Sequence, residues 1–176
     1  MKIDFKTLTM MELRSTPGEV LDRVARDGDV FVIERNGQPK ACLVPVSFLL
    51  PDVAPDRIAQ ELDKLAEKKE NYRLSITDNK ELEINCHETA AGESLLLSIV
   101  LPHGYPGSAP KIRVQPVESN TPQRWQDGSL SIFGVTTVWN PKTHDVIHAL
   151  SMARLWLKQY AKWRKTGEWP ERMDAR

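Results

Sequence analysis

The sequence is poor in cysteine. Only Cys42 and Cys86 occur in 176 residues. They form no CxxC pair, and no four-ligand set of Cys and His surrounds either, which argues against a structural zinc site or a disulfide framework. Net charge is also lacking, since 24 Lys and Arg face 24 Asp and Glu. That balance excludes bulk electrostatic attraction as the basis for meeting nucleic acid or an anionic membrane. Any DNA binding must rest on a few placed side chains. No apolar run approaches the ~18 residues of a membrane span, and the opening MKIDFKTLTMME has no apolar stretch of signal-peptide length. The expected compartment is the cytosol, with no membrane partner. The 12 Pro and 9 Gly stay below low-complexity levels, and no internal repeat is found. At 40% hydrophobic and 27% charged, the chain has the composition of an ordinary folded protein.

The length suits two small domains better than one average one. Charge does not separate them, but punctuation does. Pro45, Pro51 and Pro55 close one hydrophobic pattern before a charged helical one begins, which places a boundary near residues 50–56. In DRIAQELDKLAEKKENY, Ile58, Leu62 and Leu65 recur at helical spacing with Lys and Glu opposite. The expected division is therefore 1–53 and 54–170. Residues 54–72 form a connecting helix or the first helix of the second domain, and 171–176 are a tail.

Within the first domain, Thr9-Met10-Met11-Glu12 has capping-box spacing, so a short helix is expected to start at Thr9. Thr16-Pro17-Gly18-Glu19 repeats the signal, with Pro at the first helical position. The second helix would turn Val20, Leu21 and Val24 inward and stop at Asp27-Gly28. VFVIE and QPKACLVPV flank Asn36-Gly37, a strong type I′ hairpin signal. A helix-helix-hairpin unit this small buries little surface alone, so dimerisation is expected.

The combination of short helix, GEVLDRV helix, acidic-Gly stop, I-x-R-N-G-x-P hairpin and closing LVPV resembles the N-terminal domain of the prevent-host-death (Phd/YefM) antitoxin family over nearly all of residues 3–50. The resemblance implies a dimer that binds operator DNA and represses its own operon, with a C-terminal segment that neutralises a cognate toxin. By the same carry-over, Arg14 and Arg35 are the leading DNA-contacting candidates, and Lys6, Thr9 and Ser15 could add phosphate contacts. On sequence chemistry alone, Arg14 and Arg35 also read as ordinary solvated surface residues.

In the remainder, ELEINCHE, SLLLSIVLP and KIRVQPV read as strands, the first two joined by the turn AAGE, and DGSLSIF as a further short extended run. HDVIHALSMARLWLKQYAKW reads as an amphipathic helix with Val146, Leu150, Ala153, Leu157 and Tyr160 in one stripe, and Ile147 and Trp156 beside it. The fold class is α+β, with an antiparallel meander packed by helices. Tyr105-Pro106 with Ala109-Pro110, then Asp127-Gly128-Ser129-Leu130, Trp139-Asn140-Pro141 and Thr166-Gly167-Glu168-Trp169-Pro170, resemble the ubiquitin-conjugating enzyme fold over roughly residues 56–170.

The departure from that pattern carries information. The family's thioester-forming cysteine follows the Gly-x-Leu, and here Ser131 stands in its place. A hydroxyl substitutes poorly for a thiolate in thioester exchange. The expected His before the strand is also replaced, with Arg124-Trp125 nearby. The resemblance thus implies a non-catalytic variant or the related RWD-type module, used for binding. No enzyme activity and no cofactor are expected. Cys86-His87-Glu88 does not form a nucleophile-base pair, because neighbours on a strand point to opposite faces. His144 and His148 share a helix face but lack a third metal ligand. Arg154, Lys158, Lys162, Arg164 and Lys165 lie in a stretch, 146–167, that holds no acid. They could form a partner face or simply complement the helix dipole. The candidate partner-binding set is Trp139, Arg154, Lys158 and Lys162. Trp156, Tyr160, Trp163 and Trp169 are expected to close the core, with a partner groove as the alternative. The leading functional expectation is a dimeric antitoxin and autorepressor whose second domain binds a toxin. A bacterial ubiquitin-like conjugation component and a transcription regulator without a toxin are the alternatives.

Overall fold

The structure, a computed structural model, describes residues 4–49, 55–134 and 137–170. The chain divides into two compact units, Met1–Ile58 and Ala59–Arg176. Of the boundary expected near residues 50–56, residues 50–54 lie outside the described residues, as does the tail 171–176. Both units mix helix with sheet, so the chain is α+β.

The first unit opens with a strand, β1 (Phe5–Thr9), which the sequence pattern did not announce. It is followed by α1 (Met10–Ser15), α2 (Pro17–Asp22), a π-helical turn (Arg23–Asp27), β2 (Val30–Arg35), β3 (Gln38–Leu43) and a 3-10 turn (Val46–Leu49). β1 runs parallel to β2, and β2 antiparallel to β3. Parallel neighbours need a crossover, and α1 and α2 supply it. The expected helix-helix-hairpin order is therefore a strand-helix-helix-hairpin. Only Leu8 of β1 is buried, so no alternating signal marks it.

Local chemistry accounts for the helix ends. Thr9 Oγ1 accepts the Glu12 N–H (3.2 Å), and Glu12 Oε2 accepts the Thr9 N–H (2.8 Å), a complete capping box. Thr16 gives α2 no side-chain cap. Its hydroxyl turns back to Glu12 O at 3.5 Å. Gly28, at φ +71°, ends the helical segment as expected. Asn36 and Gly37, at φ +55° and +70°, make the two-residue turn between β2 and β3. Val20 and Val24 enter the core with Leu8 and Phe31. Leu21, expected inward, is 54% exposed. Val20 and Val24, four apart, define the inward stripe, and Leu21 sits about 100° around the helix from Val20.

α3 (Pro55–Glu67) spans the boundary between the units. Ile58 and Leu65 are buried, and Leu62 is half-buried. The second unit then builds β4 (Tyr72–Ile76), β5 (Leu82–Ala90), β6 (Glu93–Leu101) and β7 (Lys111–Gln115) as an antiparallel meander in that order. β5, β6 and β7 match the expected strands, with a tight turn at Ala91-Gly92. β4 was not expected. α4 (Val146–Thr166) lies against β5 and β6. Asp145 caps it by accepting the His148 N–H (2.8 Å), and Gly167 at φ +75° ends it. The whole expected stripe is buried, together with Ala149 and Trp156. Leu82, Ile84, Leu97, Ile99 and Ile112, which the strand register sets on one face of the sheet, are buried as well. DGSLSIF forms isolated bridges, Arg124 with Leu130 and Phe133 with Thr137, rather than a strand.

Candidate functional site

In the first unit the pairing of Thr9 with Glu34 brings the start of α1 and the end of β2 to one end of the sheet. Arg14 lies in the last turn of α1 and Arg35 closes β2. Both are exposed, and neither has an ion pair among the described residues. The other candidates are engaged within the fold. Lys6 Nζ holds Asp29 at 2.5 Å, and Arg23 holds the same carboxylate at 2.7 Å. Hydrogen bonding from Lys6 keeps the Asp29 carboxyl below the ordinary carboxylate range. Thr9 is the helix cap, and Ser15 Oγ donates to Glu12 O (3.0 Å).

In the second unit the residues before Ser131 form a compact hairpin. The Trp125 N–H donates to Ser129 O (2.8 Å), and the Gly128 N–H to Trp125 O (3.0 Å). Asp127 Oδ1 accepts the Ser129 N–H (3.0 Å) and hydroxyl (2.5 Å), and this pairing lowers the Asp127 pKa. Gly128, at φ +81°, allows the turn. The Leu130 N–H then docks on Ile112 O (2.8 Å), and Leu130 is buried. Ser131 follows, half-buried, and its hydroxyl donates to Gln123 Oε1 (3.1 Å). A side-chain amide cannot take the proton that an attacking hydroxyl must lose, so this pairing does not activate a nucleophile. Of the two cysteines, Cys42 is exposed and belongs to the first unit. Cys86 is buried on β5, where burial, then the charges of Glu88 and Glu70, push its thiol up and away from thiolate.

Beside this hairpin is a cleft of about 280 Å³, lined in part by Pro110, Trp125, Leu130 and Phe133 and by the Lys111–Asp127 ion pair (3.6 Å). Trp125 is 44% exposed. In the sequence Trp125 stands out only as the neighbour of Arg124. An exposed indole in a polar loop was the available signal.

Trp139 is a fixed part of the loop framework. Its Nε1–H donates to Pro106 O (2.7 Å), and its ring meets Phe133, His144 and Tyr105 at 5.1, 5.4 and 5.9 Å. His144 and His148 stack at 4.0 Å. Burial, then the nearby His144, lowers the His148 pKa, with Asp145 opposing. Tyr105 donates its hydroxyl to Glu61 of α3, which also accepts the Val146 N–H at the start of α4 (2.8 Å). Glu61 is buried. Its signal in the sequence was its place inside the Ile58–Leu62–Leu65 stripe.

Arg154 makes a bidentate pair with Glu70 (2.8 and 2.6 Å) and reaches Glu88 (2.8 Å). It is thus an internal tie between α4, β5 and the segment before β4. Arg164 is paired with Glu93 and Glu118. Lys158 and Lys162 remain exposed, with no ion pair among the described residues. Trp156 is buried and stacked on Tyr160, while Trp163 and Trp169 are half-buried around them. Among the described residues, no group of three or more His, Cys, Asp or Glu could hold a metal ion, and no helix is long and apolar enough to cross a membrane.

Neither a protein-family model nor a curated protein sequence matches the chain. Solved structures are similar to it, among them the following two. One is human ubiquitin-conjugating enzyme E2 G1, at 20% identity and TM-score 0.41, covering 63% of this chain and 93% of that one. The other is the Vps23 UEV in a complex with ubiquitin, at 16% identity and TM-score 0.43, covering 73% of this chain and 96% of that one.

Proposed function

We propose that the protein is a dimeric operator-binding antitoxin and autorepressor. Its second unit is a non-catalytic, ubiquitin-conjugating-like module that binds a partner, the cognate toxin. The observation that carries the DNA-binding half is the placement of Arg14 and Arg35, which are exposed and have no ion pair among the described residues, while Lys6 and Arg23 are neutralised by Asp29. In a neutral chain such residues supply local contacts, and a dimer doubles them on one face. Support for the binding role of the second unit comes from Ser131, whose hydroxyl faces an amide where the conjugating family has its cysteine. The cleft bearing Trp125 offers that module an apolar contact surface.

The test is a titration of DNA from upstream of the protein's own gene, by gel shift at fixed salt. Arg14→Ala and Arg35→Ala each lose about tenfold to a hundredfold in affinity with unchanged circular dichroism. Wild-type affinity in both would overturn the DNA-binding reading. Incubation with a matching activating enzyme and modifier leaves the chain unmodified; an ester adduct on Ser131 would instead establish the conjugation-pathway reading.

A further inference from the structure

Among the described residues, the four-stranded sheet has one occupied edge and one bare edge. At β7 the Leu130 N–H takes Ile112 O, so following chain fills part of that ladder. At β4, among the described residues, no backbone hydrogen bond reaches the outer side. The register shows which groups are left there. The Thr77 N–H donates to Glu81 O (3.0 Å), and in an antiparallel ladder such hydrogen-bonded pairs alternate. With Arg73 opposite Asn85 and Ser75 opposite Glu83, these residues turn their backbone groups toward β5. Tyr72, Leu74 and Ile76 therefore turn theirs outward.

The same three residues carry the apolar side chains of the strand. They share a face with their partners Cys86, Ile84 and Leu82, all buried. The core face of the sheet thus runs out to the edge, where Leu74 and Ile76 remain 41% and 46% exposed. β4 carries no proline, and Arg73, its one charged side chain, points to the opposite face. By contrast, the edge strand β3 of the first unit holds Pro39 and Lys40, residues that discourage pairing.

We infer that β4 is a self-association edge, on which a second copy of the chain pairs antiparallel about a two-fold axis through Leu74. The strand is self-complementary in this register. Leu74 meets its own counterpart, Tyr72 meets the second copy's Ile76, and Arg73 meets the second copy's Ser75. The outward backbone groups of residues 72, 74 and 76 fall into hydrogen-bonding pairs, about six bonds in all. Charge fits as well. Ser75 Oγ donates to Glu83 Oε2 (2.8 Å), so Arg73, which has no ion pair among the described residues, gains a carboxylate one strand into the second copy. A one-residue slip would set the apolar side chains against the polar face. Moving the axis to Tyr72 or Ile76 would leave part of the strand unpaired. A five-residue edge buries less than the ~800 Å² per partner of a stable interface, so the pairing needs a raised local concentration, such as a two-fold contact elsewhere in the chain supplies. It does not depend on what the first unit binds.

Disulfide trapping tests the register in the full-length protein with Cys42→Ser, where the remaining Cys86 is buried. Cα atoms about 5.5 Å apart suit a disulfide. Under mild oxidation, Leu74→Cys forms covalent dimers at least about tenfold faster than Arg73→Cys or Ser75→Cys alone. An equimolar mixture of the latter two gives a crossed dimer. Equal trapping at all three positions, or none at Leu74→Cys, would overturn the inference, whether the edge is then bare or covered by another segment or protein. Independently, Leu74→Lys lowers the assembly size in sedimentation velocity with unchanged circular dichroism, and an unchanged size would count equally against it.

Discussion

Among the individual residues, a side chain's identity and its role come apart most at Arg154. In the sequence it is one of five cations on an acid-free helix, whereas the fold brings Glu70 and Glu88 to it. The guanidinium is held above its ordinary pKa, chiefly by the Glu70 hydrogen bond, and the same bond lowers Glu70. Replacing it with an uncharged chain leaves two largely buried carboxylates facing each other. Arg154→Met is expected to lose about 1–2 kcal/mol in urea denaturation, between the worth of an exposed pair and the cost of breaking a buried one, because the site is partly wet. Because the folded Glu70 pKa is depressed, its share of that stability is complete above the ordinary value of 4.5 and disappears as pH falls through the lowered one. The gap between wild type and variant should therefore narrow in acid. His148 follows the same rule at higher pH. Its folded pKa lies below 6.5, so its contribution is present above that value and is lost as pH falls further. Between about pH 7.5 and about pH 5.5 the wild-type Tm drops more than that of His148→Phe, which keeps the aromatic contact and removes the titration. Equal slopes in the two proteins would remove His148 from this role.

At the level of elements, legibility followed the source of the signal. α4 was readable because its buried stripe repeats in sequence, and the hairpin because Asn36-Gly37 carries its own turn geometry. β1 and β4 were not. β1 owes its pairing to β2, more than twenty residues away in a parallel register, and buries a single side chain. β4 is an edge whose apolar residues stay partly exposed and follow directly on a charged helix. The two Thr caps show the same distinction on a smaller scale. Both sit in cap-like spacing, but only Thr9 closes a capping box, so Thr9→Ala should lower stability by about 1 kcal/mol and Thr16→Ala by much less. Chemical denaturation of the two variants side by side checks this, and equal losses would contradict it.

For the whole molecule, two units on one chain allow binding at one to be coupled to binding at the other. If the toxin binds the second unit and changes how operator-bound dimers are held together, adding it to the protein–operator complex at fixed salt shifts operator affinity about fivefold or more. The same factor should appear in toxin affinity when operator is added first, because coupling is reciprocal. A flat response in both titrations would mean that the units act independently.

The sequence by itself determined what depends on neighbours along the chain: the Thr9 capping box, the Asn36-Gly37 turn, the apolar stripe of α4 and the serine at position 131. The tertiary structure decided what depends on residues far apart. It paired Lys6 and Arg154 with acids, buried Glu61 as the acceptor shared by Tyr105 and α4, and, among the described residues, left Arg14, Arg35, Lys158 and Lys162 without an ion pair and the β4 edge open. The physical reason is range. Backbone propensity and capping act within a few residues, whereas ion pairing, burial and strand partnership are set by groups that meet only after the chain has folded.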